Sequence, residues 1–260
     1  LESILIKTSG LTKRFGSATV VNDLNLEIKS GEIYGFLGPN GSGKTTTIRM
    51  LTGLLEPSFG SAFICGYDIS KDPSSAKALM AYVPDQPKVY GKLTAREFLS
   101  FMSNLYRMPK DISRERAEYL LFLFGLESRA DDLLESYSHG MRQKVVLAAA
   151  LIHQPWVILL DEPTVGLDPR SARLLKDVLQ EMARQGAAVF LSTHILEIAE
   201  RMCHRVGILK EGRLIAQGSP EELRQKVGHG EESLEDIFLE LTGSPEDIEL
   251  IRSLEEVDNR

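Results

Sequence analysis

The sequence predicts an α/β fold: a mainly parallel sheet with helices on both faces, an antiparallel β edge and an α-helical insertion. Three observations predict it. Short apolar runs at residues 33–37, 157–160 and 187–191 alternate with helical patterns, as βαβ units do around a parallel sheet. A glycine-rich segment, Gly38-Pro39-Asn40-Gly41-Ser42-Gly43, separates the first of these runs from a helical pattern. Residues 3–11 and 20–28 instead alternate apolar and polar positions (Val20, Asn22, Leu24, Leu26, Ile28), as half-buried antiparallel strands do.

In chain order, Ser30-Gly31 turns the second alternating strand into the buried strand 33–37, and residues 44–54 form a helix that stops near Gly53. Residues 93–135 carry helical spacing in Phe98, Phe101 and Leu105, then in Leu120, Leu121, Leu123 and Phe124; this is the insertion. A helix over 140–152 leads to a second buried strand at 156–160. Asp168-Pro169 opens the next helix, with a capping carboxylate and Pro at the first helical position, and that helix runs to about Gly186. Strands follow at 187–191, 206–209 and 213–216, the last two joined by the turn Glu211-Gly212. The tail from Ser219 is helical; Ser233 with Asp236 forms a capping-box start, and Gly243 closes that helix. Arg224 and its neighbours to residue 226 form a solvated helix face.

The 260 residues suit one large domain or two small ones. With 43% hydrophobic and 26% charged residues the composition is that of an ordinary globular protein, which excludes disorder over most of the chain. Thirty Lys and Arg against 37 Asp and Glu leave a net charge of −7, an argument against a protein that grips nucleic acid through a basic face. An anionic ligand is still admissible: at a Debye length of about 8 Å the diffuse charge is screened and the local pocket decides. Cys65 and Cys203 form no CxxC pair, which argues against a disulfide framework or a zinc site and suits a reducing compartment. The apolar stretches fall short of the ~18–20 residues a membrane span needs, and residues 1–10 have no secretory signal pattern. A role at a membrane would therefore run through a partner.

The chemistry concentrates in three places. Gly38 to Thr45 matches GxxxxGK[ST] between a strand and a helix, the context this motif requires. Its glycines let backbone N–H groups turn inward around phosphate oxygens, and the helix start adds its positive dipole end. Lys44 adds a point charge, worth about 4 kcal/mol at 4 Å and an effective dielectric of 20 before desolvation. Thr45 offers a hydroxyl to Mg²⁺. With Gly near 7% of residues, a chance match in a chain of this length has a probability of roughly 0.01. The strand at 157–160 runs into two carboxylates, Asp161 and Glu162, at the end of a parallel strand where ligands sit. Asp161 suits an Mg²⁺ shell, and Glu162 suits a base that orients and deprotonates water. His194 follows Phe190-Leu191-Ser192-Thr193 at a third strand end, where it could hold a terminal phosphate and the attacking water.

In this order the motifs resemble those of the ATPase subunits of ABC transporters, over residues 3–227. Tyr137-Ser138-His139-Gly140-Met141-Arg142-Gln143 resembles the family signature, usually LSGGQ followed by Arg-Gln. Phe15, in Lys13-Arg14-Phe15-Gly16, resembles the aromatic that stacks on adenine, with Val20 beside it. The segment Pro163-Thr164-Val165-Gly166-Leu167-Asp168 resembles the loop that touches the opposite subunit, and Ser192-Thr193-His194 the switch histidine. Two departures stand out. His139 replaces the first signature glycine, while Gly140 is kept. Asp85 stands where the family places its switch glutamine, with Gln86 next to it. An ionised Asp accepts hydrogen bonds but donates none, so the role falls to Asp85 or to Gln86.

The resemblance implies a P-loop NTPase core with ATP and Mg²⁺ as ligands. It implies nucleotide contacts from Phe15, Val20, Gly38, Pro39, Asn40, Gly41, Ser42, Gly43, Lys44, Thr45 and Thr46. It implies catalytic roles for Glu162 and His194, and metal contacts from Thr45, Asp161 and either Asp85 or Gln86. Ser138 and Gly140 would touch the γ-phosphate held by a second ATPase subunit, so two copies, expected as a homodimer, enclose two ATP molecules. The domain would span 3–227, with the helical insertion at about 93–152 and a helical tail at 228–260. The tail segment 231–243 resembles that of ATPase subunits from exporters of drugs, antibiotics, sodium or surface components. The expected partner is a polytopic membrane permease, not nucleic acid, and the expected place is the cytoplasmic side, peripheral on the inner face of the cell membrane. The alternative is a soluble ABC ATPase without a transporter. Translation members of that class carry two ATPase halves, and repair members an interrupting coiled coil; neither feature is in this sequence.

Overall fold

The structure, a computed structural model, describes residues 3–227 and 233–243. It opens with a hairpin of β1 (Ile4–Phe15) and β2 (Ala18–Lys29), in which Leu24, Leu26 and Ile28 face the core as the alternation requires. The alternation slips at Asp23, whose φ of 53° marks a bulge between the Leu11–Leu24 and Lys13–Val21 pairs. Val21 consequently enters the core and Val20 stays at the surface of the strand. Then come β3 (Ile33–Leu37), buried throughout, and α1 (Lys44–Leu51), which ends at Thr52 with Gly53 left-handed at φ 65°.

Four elements that the sequence pattern did not predict come next: β4 (Phe59–Ile64), the two-residue β5 (Tyr67–Asp68), α2 (Pro73–Ala78) and β6 (Met80–Val83). The insertion contains α3 (Ala95–Leu105) and α4 (Lys110–Leu123), followed by two single 3-10 turns. A full capping box between Thr94 and Glu97 starts α3, a device worth about 1 kcal/mol. After it lie α5 (His139–Leu151), β7 (Val157–Asp161) and α6 (Pro169–Arg184), whose start is capped by Asp168 accepting from the Ser171 N–H. The chain continues through β8 (Ala188–Thr193), the unpredicted α7 (Leu196–Met202), β9 (Arg205–Lys210) and β10 (Arg213–Gly218). Glu211 and Gly212, both at positive φ, make the tight turn between the last two strands. The final elements are α8 (Pro220–Val227) and α9 (Leu234–Thr242).

The capping box of Ser233 and Asp236 opens α9, but Gly243 follows it at φ −63° and uses none of a glycine's left-handed freedom. The rest of the tail expected to be helical, 228–232 and 244–260, lies outside the described residues. Arg224 corrects the expectation of a solvated face: it is half-buried and paired with Glu200, which ties α8 to α7.

The strands form two sheets. A six-stranded sheet has the order β10-β9-β3-β8-β7-β6 and is parallel except for β10. A four-stranded antiparallel sheet has the order β2-β1-β4-β5. Successive residues of the central strands point to opposite layers, as the pleat demands. Ile33, Leu37, Ile158, Leu160, Val189 and Leu191 pack with residues of α5, α6 and α7. Tyr34, Phe36, Leu159 and Phe190 pack with α1 and with the antiparallel sheet. Helices therefore lie on both faces, as expected, and the second face is shared by α1 and the antiparallel sheet.

Candidate functional site

β3, β7 and β8 are parallel, with Leu37 paired to Thr193 and Asp161 to Ser192. The chain therefore leaves all three strands at one level. That register brings together the 38–43 loop, the carboxylates after β7 and the histidine after β8, at the strand ends where open α/β sheets bind ligands. A cleft of about 300 Å³ lies between the loop and the carboxylates, formed on one side by Asn40, Gly41, Gly43, Lys44, Thr45 and Thr46; His194 is not part of its lining and reaches it through Glu162. Asp161, Glu162, Asp85 and Val20 complete its lining. A larger groove of about 800 Å³ between α4 and α6 contains none of these groups.

The loop is built for close approach of backbone. Gly43 caps α1 at φ 110°, and a Cβ there would lie 2.6 Å from the Val20 carbonyl oxygen. A side chain at Gly38 would lie 2.5 Å from Leu209 O and from Ser42 Oγ. Pro39 O accepts from the Ser42 N–H, which closes the turn. Lys44 Nζ donates to Gly38 O at 2.6 Å and to Pro39 O at 3.2 Å. Burial pushes the Lys44 ammonium below its ordinary pKa of 10.5, against the pull of Glu162 and Asp161, which favour the charged form.

Two buried oxygens in this region have no hydrogen-bond partner among the described residues: Ser42 Oγ and Asp161 Oδ2. Asp161 is 1% exposed, and its other oxygen accepts from Ser192 Oγ at 2.5 Å. An unpaired buried polar atom costs about 1–3 kcal/mol, so a cleft that keeps Asp161 Oδ2 unpaired is shaped for a ligand that pairs it, whereas Ser42 is not part of the lining. The donors fit Mg²⁺: the Thr45 hydroxyl and the free oxygen of Asp161 are hard oxygen ligands, and Mg²⁺ takes few protein carboxylates beside substrate phosphate. Among the described residues no group of three or more His, Cys, Asp or Glu is placed to hold a metal by itself.

Glu162 adopts φ 49°, a left-handed conformation rare for a non-glycine residue, and its N–H donates to Ser192 O at 3.0 Å. Its Oε1 lies 2.9 Å from His194 Nδ1, and the His194 N–H donates to Oε2 at 3.4 Å. Asp85 and Gln86 are both exposed just after β6, and of the two only Asp85 lines the cleft.

The remaining expected residues lie elsewhere. Phe15 is exposed at the end of the β1–β2 hairpin, with Lys13 Nζ 5.2 Å from its ring centre. Ser138 caps α5 by accepting from the Met141 N–H, and Gly140 lies in the first turn of that helix. Neither lines the cleft that contains Lys44. Two residues that fell inside the quoted motifs without a role of their own also bear on the site. Ser192 orients Asp161, and only the pairing of β7 with β8 could have revealed it. Gln143, fully buried although it lies between Arg142 and Lys144 in sequence, donates to Pro163 O at 3.5 Å; its place in the signature-like segment was the available signal. Cys203 is buried and His204 Nδ1 accepts from the Ile33 N–H, so this adjacent pair is structural.

Comparison with known proteins agrees with this geometry. The family model described as ABC transporter matches residues 21–165. The uncharacterised ABC transporter ATP-binding protein YhcH of Bacillus subtilis is 41% identical over 215 residues, covering 81% of this chain and 68% of that protein. The daunorubicin/doxorubicin resistance ATP-binding protein DrrA of Streptomyces peucetius is 39% identical, covering 86% and 68%. The solved structure of an ATP-binding subunit of an ABC transporter superposes with a TM-score of 0.88 at 34% identity, covering 91% of this chain and 99% of that one.

Proposed function

The chain belongs to the ABC transporter family as an ATP-binding, ATP-hydrolysing subunit, and from that premise we propose that two copies enclose two ATP molecules and drive export through a separate polytopic membrane permease. One observation carries the divided site. The phosphate cradle and the signature helix start are both anion-binding elements, and only the cradle lines the cleft. The helix start that opens with Ser138 and Gly140 is then free to cap the γ-phosphate held by the other copy.

Within each site, Phe15 and Val20 take the adenine side, and the loop from Gly38 to Thr46 wraps the phosphates with Lys44 as their point charge. Glu162 accepts the proton of the attacking water. His194 holds the Glu162 carboxylate and meets the terminal phosphate. Thr45 and Asp161 would hold Mg²⁺, which when bound neutralises phosphate charge. Asp85 rather than Gln86 takes the switch position, supported by its place in the cleft lining. We assign residues 3–227 to the ATPase domain, about 93–152 to its helical insertion and 228–260 to a C-terminal tail.

No helix among the described residues is long and apolar enough to cross a membrane. The permease therefore supplies the passage, and the chain sits against it on the inner face of the cell membrane. Next to Asp85, a groove of about 500 Å³ is lined by Tyr82, Pro84, Tyr90, Phe101 and Leu105. Tyr90, Phe101 and Leu105 expose large apolar surfaces there. A permease segment seated in this groove would touch the switch loop directly. Export as the direction is supported by another relative, the Nod factor export ATP-binding protein I of Burkholderia orbicola, 39% identical over 211 residues.

The test is capture of a polytopic subunit from membranes by the tagged chain. The wild type should retain it, and Phe101→Glu with Leu105→Glu should lose it while still binding ATP. Recovery of the wild type only in soluble complexes would favour the non-transport alternative.

A further inference from the structure

His139 stands where the family has a glycine, in the first turn of α5, and its ring lies against Gly166. Gly166 is at φ 80°, and a Cβ there would lie 2.5 Å from His139 Cδ2 and 2.8 Å from Nε2. Gly140 faces the same residue, since a Cβ on it would lie 3.1 Å from Gly166 O. One turn further on, Gln143 donates to Pro163 O, and Lys144 Nζ lies 3.8 Å from Asp168 Oδ2. Residues 139, 140, 143 and 144 form one stripe of the helix, and the whole stripe faces the 163–168 loop. That loop leaves directly from Glu162 and is braced to it by the Val165 N–H donating to Glu162 O, while the Leu167 N–H donates to Thr164 O within the loop.

We propose that His139 is a positioning residue that couples the two ATP sites of the dimer: its ring fixes the 163–168 loop, and through it Glu162, to the helix start that caps the other copy's nucleotide. The proposal rests on the shared-site reading above. Its physical content is a contiguous contact with two arrangements, biased by both sites. The present arrangement leaves Gln143 Oε1 and Thr164 Oγ1 buried without partners among the described residues. A shift of the loop that pairs them is favoured by the cost of leaving them unpaired. Docking of the helix start on the partner's nucleotide would thereby be felt at this chain's own base. A glycine at position 139 has no side chain to make the contact.

A double-mutant cycle on the full-length chain tests this, using His139→Ala, Gly166→Ala and the pair. Alanine at a left-handed φ is strained in both backgrounds, so that cost cancels in the cycle. Gly166→Ala should lower kcat by about tenfold, with KM for ATP changed by less than about twofold because the cradle lies elsewhere, and removing the His139 ring should restore most of the loss. His139→Ala alone should bring the Hill coefficient for ATP toward 1. Effects on kcat that simply multiply, or an unchanged Hill coefficient in His139→Ala, would overturn the proposal. If Gly166→Ala does not fold, the Hill coefficient of His139→Ala decides alone. A wild type that shows neither cooperativity nor dimerisation sinks the shared-site reading instead.

Discussion

His194 Nδ1 lies 2.9 Å from Glu162 Oε1, while the same residue's backbone N–H donates to Oε2 at 3.4 Å. One residue thus addresses both oxygens of the carboxylate. The contact spans two strand ends that the parallel pairing of β7 and β8 holds side by side. The Glu162 backbone, at positive φ, is fixed from the other side by Ser192 O.

This arrangement predicts that Glu162→Gln keeps nucleotide binding and loses about 10²–10⁴-fold in turnover, the usual worth of a positioned base. His194→Ala should also cause a large loss in kcat, because the carboxylate loses its orienting partner. Phosphate release beside direct binding of a fluorescent ATP analogue separates the two effects. Turnover equal to that of the wild type in either variant would remove that residue from the mechanism.

Asp85 and Gln86 are neighbours with different surroundings, the first in the cleft and the second outside it. Asp85→Asn keeps the shape and removes the charge. It should raise the Mg²⁺ concentration needed for half-maximal hydrolysis by roughly tenfold, in the range measured for residues that support a metal site. Gln86→Ala should stay near the wild type in the same titration. The reverse pattern would transfer the switch role to Gln86.

His153 stacks on Tyr106 with ring centres 3.5 Å apart and planes within 7°, and its Nε2 lies 3.2 Å from Met80 O. Burial holds its pKa down to about 4 from an ordinary 6.5, and the nearby Arg116 adds to the depression while the Met80 carbonyl opposes it. The unfolded chain therefore binds a proton between pH 6.5 and 4 that the folded chain does not, so stability falls as pH falls through that window. The contribution is up to about 2–3 kcal/mol after allowance for partial exposure. Thermal unfolding across this range should show a steeper acid loss in the wild type than in His153→Gln. Parallel curves would mean that the imidazole is protonated without cost.

Much of this site was legible because its signals are local. The run at 33–37 is buried residue for residue in β3, the glycine loop follows it, and Asp168-Pro169 starts α6 as its capping chemistry requires. What escaped the sequence depends on pairing between distant segments. β6 has only four residues and gains its strand character from lying beside β7. In β4, only Ala62 and Ile64 are buried, too short a pattern to register. The bulge at Asp23 moved Val20 out of the core phase and toward the cleft, where period-two counting could not place it. The placement of Asp85 in the cleft lining and of Gln86 outside it depends on how the chain leaves β6, and the contact of His139 with Gly166 on two elements 27 residues apart.

The central claim is that neither copy is a complete enzyme. Turnover per chain should be measured against protein concentration, with the association state recorded on the same samples in the presence of MgATP. Half-sites predict that activity per chain falls away as the dimer dissociates, and that Glu162→Gln with MgATP accumulates as a dimer. A dilute species proven monomeric that hydrolyses ATP at the full rate would contradict the account.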